Sequence, residues 1–187
     1  MSNRREENQD DILIEKCFLD TSHIPQMLEL QENVLDNTLD EKKIFLVERS
    51  EQDLKNVFGS GQRAIGVFFN GELKAQATIT NTIVRPDSLT GSFNKTSENL
   101  EEARLSTIGF LMTSPTDCGR GLGRLIVAEW ESISKASSAD IVHARVHHLN
   151  TDAQNLFAKF DLSHNNTAYR SPDRDENVFY MYKQILS

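Results

Sequence analysis

Apolar positions recur along this chain with two periods, and the switches between them lay out a mixed α/β order. Residues 11–18 (DILIEKCF) alternate and predict a first strand. A helix follows, capped by Thr21 or Ser22, with Pro25 in its first turn and Ile24, Leu28, Gln31 and Leu35 along one side. The run Ser50-Glu-Gln-Asp53 has the form of a capping box. Leu54, Val57 and Phe58 continue it at helical spacing until Gly59 and Gly61 end the helix. Residues 63–69 and 72–84 flank Asn70-Gly71, a pair that accepts the positive φ angles of a type I′ turn, so a β-hairpin is predicted.

Residues 85–99 (RPDSLTGSFNKTSEN) carry turn formers and no hydrophobic period, and read equally as a mobile lid or a surface loop. The stretch from Glu101 to Ser114 leads into an apolar, β-branched run from Ser106 that predicts a buried strand. Beyond it Leu122, Leu125, Ile126, Trp130 and Ile133 fall at helical spacing, with Arg124, Glu131 and Lys135 on another face. Residues 139–149 (ADIVHARVHHL) predict the next strand, with Val142, Ala144 and Val146 on one face and Ile141, His143, Arg145 and His147 on the other. Two more strands are expected near residues 166–170 and 177–185, joined by the polar turn SPDRDE. The sum is one α/β domain with a mixed sheet over residues 11–187, behind a flexible polar tail of residues 1–10.

Between the apolar strand and the Trp130 helix stands Cys118-Gly119-Arg120-Gly121-Leu122-Gly123. A strand that passes through a glycine-rich turn into a helix start presents backbone N–H groups at the positive end of the helix dipole, which suits a phosphate. The dinucleotide fingerprint would need glycine at position 124, where Arg stands, and the P-loop ending Gly-Lys-Ser/Thr is missing. The run resembles instead the acyl-CoA loop of the GNAT N-acetyltransferases, Gln/Arg-x-x-Gly-x-Gly/Ala, with Cys118 where that family has Gln or Arg. A second run supports the likeness. Asn150, Ala153, Leu156 and Lys159 match the family's Asn-x-x-Ala-x-x-Leu-Tyr-x-Lys-x-Gly-Phe, with Phe157 at the tyrosine, Asp161 at the glycine and Leu162 at the phenylalanine.

The resemblance implies a sheet of about seven strands whose central pair splays apart, flanked by about four helices. It also implies acetyl-CoA as cosubstrate, its pantetheine along the strand edge at Leu111, Met112 and Thr113. The pyrophosphate would lie on the turn from Cys118 through Gly119, Arg120, Gly121, Leu122 and Gly123 to Arg124, and Asn150 would meet the pantetheine arm. The reaction implied is direct transfer of an acetyl group to an amine, small-molecule or protein, with no metal. A proton acceptor is then needed. Many family members place a glutamate on the first central strand, where this chain has Ser106 and Thr107. Glu102 lies just before that strand. His147 is the preferred base because it ends the second central strand and titrates near neutrality; His143, His148 and His164 rank behind it. Phe157 has no proton for a departing thiolate. A catalytically silent acyl-CoA-binding or regulatory module is the alternative reading.

Composition narrows this further. With 187 residues and a net charge of −8, the chain has room for one sizeable core and is a poor general binder of nucleic acid. The acidity weakly favours a cationic partner such as an amine. Cys17 and Cys118 are the only cysteines and have no metal-binding spacing, which fits a reducing, cytoplasmic setting. No apolar run reaches membrane-spanning length and no secretory leader stands at Met1, so the sequons at Asn94 and Asn165 carry no meaning. A homodimer is left open.

Overall fold

Among the described residues seven strands join in one mixed sheet: β1 (Ile14–Leu19), β2 (Arg63–Phe69), β3 (Glu72–Val84), β4 (Ala103–Thr113), β5 (Ile141–His147), β6 (Tyr169–Arg170) and β7 (Asn177–Gln184). The structure, a computed structural model, describes residues 13–85, 102–164, 166, 168–170 and 177–185. The strand order is β1-β2-β3-β4-β5-β7-β6, and every neighbouring pair is antiparallel except the central β4–β5 pair. Five α-helices are described: α1 (Ile24–Asn37), the single turn α2 (Asp40–Lys43), α3 (Glu51–Gly59), α4 (Leu122–Ala136) and α5 (Thr151–Ala158).

Three apolar clusters form around the sheet: a small one at Ala103, Leu105 and Ile141, and two larger ones against the helices. Ile126, Val127 and Trp130 of α4 and Phe157 of α5 pack with Ile65, Val67, Ala77, Ile108, Val142 and Ala144. Ile24, Met27, Leu30 and Val34 of α1 and Leu54 of α3 pack with Ala64, Phe68, Phe110 and Met112. Trp130 and Ile126 are fully covered, so α4 is the helix most deeply set against the strands. The Trp130 indole Nε1 donates to Ser106 Oγ at 3.1 Å, and Ser134 Oγ donates to the same oxygen at 2.7 Å. Ser106 is thus tied into the α4 side of β4.

The hairpin forms as predicted, with φ of +50° at Asn70 and +81° at Gly71. The capping box is present: Asp53 N–H donates to Ser50 Oγ, while Ser50 N–H donates to Asp53 Oδ2 at 2.9 Å. Elsewhere the expectations need correction. The first strand runs Ile14–Leu19, with residues 11 and 12 outside the described ones. Asp20, not Thr21 or Ser22, supplies the cap ahead of α1, through a 3-10 turn over Thr21–His23. That extra turn rotates the helix, so its buried side is Ile24, Met27, Leu30, Gln31 and Val34, while Leu28 and Leu35 are half-buried. The fifth strand is shorter than residues 139–149. The suggested lid beyond Arg85, the N-terminal tail and the turn at 171–176 lie outside the described residues.

One irregularity in β4 decides which side chains face which helix. Gln76 pairs with Met112 and Thr78 with Gly109, so Ala77 alone faces both Phe110 and Leu111. This is a β-bulge, and Phe110 sits in it at φ +51°, a region that L-residues rarely occupy. The bulge flips the alternation. Ile108 packs toward α4, whereas Phe110 and Met112 pack toward α1.

Candidate active site

The central strands stay together for four pairs only: Leu105–Ile141, Ser106–Val142, Thr107–His143 and Ile108–Ala144. Past Ile108, β4 continues to Thr113 on β3, and β5 continues to His147 on β7. The gap between them opens a cleft of about 500 Å3. Leu111, Met112 and Asn150 line it, together with Thr107, His143, Arg145 and Tyr180, and Phe45, Leu46 and Val47 cover it from the segment after α2. A strand that parts from its neighbour turns backbone donors and acceptors toward the gap, and these require partners.

Beyond β4 the chain makes a 3-10 turn over Pro115–Asp117 and reaches the glycine run. Asp117, buried, anchors this stretch. Its carboxylate accepts from Ser114 Oγ at 3.0 Å and pairs with Lys74 Nζ at 3.4 Å and Arg120 Nη1 at 3.2 Å. Burial opposes the charged form, yet the Ser114 hydroxyl, Lys74 and Thr116 together hold the carboxyl below its ordinary range. Gly119 and Gly121 take φ of +84° and +78°, and a Cβ built at either meets nothing within 4 Å. Gly121 is the N-cap of α4, which among the described residues has no side-chain cap, whereas Asn150 Oδ1 caps α5 by accepting from Ala153 N–H at 3.1 Å. Gly123 is different: a Cβ there would lie 3.0 Å from Leu156 Cδ2, so its bareness serves the close packing of α4 on α5. Cys118 and Arg124 are exposed.

No family model matches the chain, and no curated protein does. Solved structures with this arrangement are plentiful. The chain superposes on a GNAT-family acetyltransferase from Streptococcus pneumoniae (15% identity, 92% of this chain and 99% of that one, TM-score 0.66). It superposes equally on a ribosomal-protein-alanine N-acetyltransferase from Brucella melitensis (17%, 91% and 99%, 0.63) and on Arabidopsis thaliana NAA60 in complex with acetyl-CoA (16%, 92% and 99%, 0.67). The fold is that of the GNAT acetyltransferases. At these identities the likeness is one of architecture.

Within this GNAT fold the candidate catalytic residues separate. Glu102 is exposed just before β4, six positions before Ile108 and so roughly 20 Å along the chain from the split, and it does not line the cleft. His147 lines the cleft against Phe45, ring centroids 4.9 Å apart. Its Nδ1, however, accepts the Leu149 N–H at 3.2 Å. A neutral ring so bonded carries its hydrogen on Nε2 and has no second lone pair for a proton. His148 donates from Nδ1 to the Asn177 carbonyl at 3.0 Å, and His164 stacks on Phe179 away from the cleft. Phe157 is buried, edge-on to Trp130 at 6.3 Å, and contributes to the cleft wall.

His143 stands closest to the split. It faces Thr107 in register, Thr107 Oγ1 is 3.3 Å from its Nδ1, and Tyr180 stacks on it with centroids 5.5 Å apart and planes 23° from parallel. The alternation of residues 139–149 puts His143 on the cleft side, but its neighbours Thr107 and Tyr180 follow only from the register of three strands. Among the described residues no group of three His, Cys, Asp or Glu side chains is placed to hold a metal ion, and no helix is long and apolar enough to cross a membrane.

Proposed function

We propose that this chain is an N-acetyltransferase that binds acetyl-CoA between β4 and β5 and passes the acetyl group to a primary amine. The observation that carries the reading is the parting of the central strands after Ile108 and Ala144, continued at the end of β4 by a turn with two left-handed glycines at the uncapped start of α4. The fit is good in kind. The pantetheine amides find partners on the backbone of Leu111, Met112 and Thr113, and the pyrophosphate on the amides from Gly119 to Arg124. The space left by the missing side chains of Gly119 and Gly121 admits that approach. Asn150 uses Oδ1 to cap α5 and keeps its Nδ2 for the pantetheine arm. Arg120 is held by Asp117, so Arg124, exposed, is the better side chain for a phosphate charge.

The thioester supplies an activated carbonyl. The chain's part is to hold that carbonyl beside the bulge, against Phe45 and Val47, and receive the proton lost by the amine. Calorimetry with acetyl-CoA, followed by free-thiol release with a panel of small amines and peptide N-termini, tests the reading. Saturable binding with amine-dependent thiol release is expected. Binding without release would favour a silent acyl-CoA-binding module, a second reading supported by the burial of Phe157, which lacks a phenol, against Trp130.

A further inference from the structure

We propose that His143, oriented by Thr107 and clamped by Tyr180, is the group that takes the proton from the attacking amine. The inference rests on the acyl-transfer reading above. Four observations converge on it. His143 belongs to the next-to-last pair that holds β4 and β5 together, and so lies at the base of the split. Its surface is only partly covered, and it lines the cleft. Its ring is fixed on two sides, by the Thr107 hydroxyl at Nδ1 and by the Tyr180 ring in a stack. Its Nε2 makes no hydrogen bond among the described residues. His147, the other cleft histidine, has Nδ1 taken by a backbone N–H.

The electrostatic surroundings keep the ring neutral. Burial pushes the His143 pKa down to about 4, and the Arg145 guanidinium on the same strand adds to the effect. Arg49 lines the cleft opposite, Tyr180 and Tyr182 stand on β7, and among the described residues no Asp or Glu lines the cleft. With no carboxylate among the described residues of the cleft to offset burial, the base form persists through the physiological range. The proposal assigns the proton to Nδ1, donating to Thr107 Oγ1, which leaves the Nε2 lone pair for the acceptor.

In the transfer itself, the amine lone pair forms the C–N bond to the acetyl carbonyl carbon while the C–S bond breaks, and the sulfur leaves with the electron pair as a thiolate. The N–H proton, made acidic as nitrogen gains charge, goes to Nε2. The imidazolium releases it to solvent through the cleft, and the thiolate, with a pKa of about 8.5 by analogy with cysteine, takes one from water. A base this weak gives help at the lower end of the usual range, about 100-fold.

The test has two arms. Nitrogen-15 NMR of histidine-labelled protein should show His143 as the Nδ1–H tautomer, neutral until about pH 4, and Thr107→Val should mix the tautomers. In kinetics, His143→Ala should lose about 100-fold in kcat with acetyl-CoA affinity unchanged, and added imidazole should restore part of the rate. An Nε2–H tautomer in the unaltered protein overturns the proposal even if the variant fails to fold. An unchanged kcat in a folded His143→Ala protein overturns it while leaving acyl transfer standing. Absence of thiol release by the unaltered chain with every amine overturns the acyl-transfer reading, and the role of His143 with it.

Discussion

The two sides of the cleft are built from different materials. Along β4 and the glycine turn the groups on offer are backbone: the free edge past Ile108 and amides around Gly119 and Gly121. Along β5 and β7 they are side chains: His143, Arg145 and Tyr180. Backbone sites tolerate exchange of the side chains they carry, provided the φ angles survive; side-chain sites depend on atoms at the tip of one residue. Under the proposed reading, Cys118 can stand where the resembled family has Gln or Arg because the contacts of the turn are made by backbone. The difference also locates the chain's individuality on the β5 side.

Four experiments probe this contrast, and the first has the greatest leverage. His143 has a pKa of about 4 in the folded protein against an ordinary 6.5. The unfolded chain therefore binds a proton between those values that the folded chain refuses. The stabilising contribution is whole above about pH 6.5 and fades as pH falls through 4, amounting to on the order of 3 kcal/mol. Chemical denaturation at stepped pH should show His143→Gln with a flatter acid limb than the unaltered protein; parallel limbs would remove the buried neutral ring.

Next comes Gly121→Ala. At φ +78° the added Cβ costs about 1–2 kcal/mol of stability, and acetyl-CoA affinity should fall about 10- to 100-fold by calorimetry. Val at this position is a poorer probe, since a β-branched residue strains the left-handed turn more and confuses loss of fold with loss of binding. Undiminished affinity in Gly121→Ala would refute the backbone side of the contrast.

Third, Phe157→Tyr places a hydroxyl where only 4% of the residue is exposed, beside Trp130. A melt should register a loss of about 1–3 kcal/mol, and the turnover–pH profile should not improve. A gain in turnover would mean that the phenol reaches the sulfur.

Least is expected of Cys118→Ala, whose acetyl-CoA affinity should stay within about twofold. In a Cys17→Ser background, maleimide labelling of Cys118 should slow when acetyl-CoA is added. That background is needed because Cys17 is exposed too, although burial, Glu15 and Asp20 push its thiol pKa up.

Much of the fold is legible where local chemistry decides it. Asn70-Gly71 and Ser50–Asp53 announce themselves because turn and cap act over four residues. The start of α1 is ambiguous in sequence because Asp20, Thr21 and Ser22 can each cap, and only the 3-10 turn built in three dimensions selects Asp20. The bulge leaves no trace in the sequence, since Phe110 at positive φ contradicts its own preference and is imposed by pairing with β3. The backbone half of the site is readable because glycines mark it. The side-chain half is not readable, because the partners of His143 and His147 are set by strand register and by the turn after β5. Thr107 lies 36 residues from His143, and the Leu149 amide reaches His147 Nδ1 only once the chain has turned after β5.

The four-residue ladder between β4 and β5 has a further consequence. Among the described residues it is the only strand pairing that joins the antiparallel meander β1–β4 to the unit β5–β7–β6. Strand hydrogen bonds therefore couple the two parts through few pairs, and the rest of the coupling falls to the apolar cluster under α4, which packs Ile65, Val67 and Ile108 of one part with Val142 and Ala144 of the other. Widening the cleft and unzipping the ladder then lie on the same motion. A molecule that lies across both strands acts as a strut between the two units, and its binding energy appears as hydrogen-exchange protection far from any atom it touches.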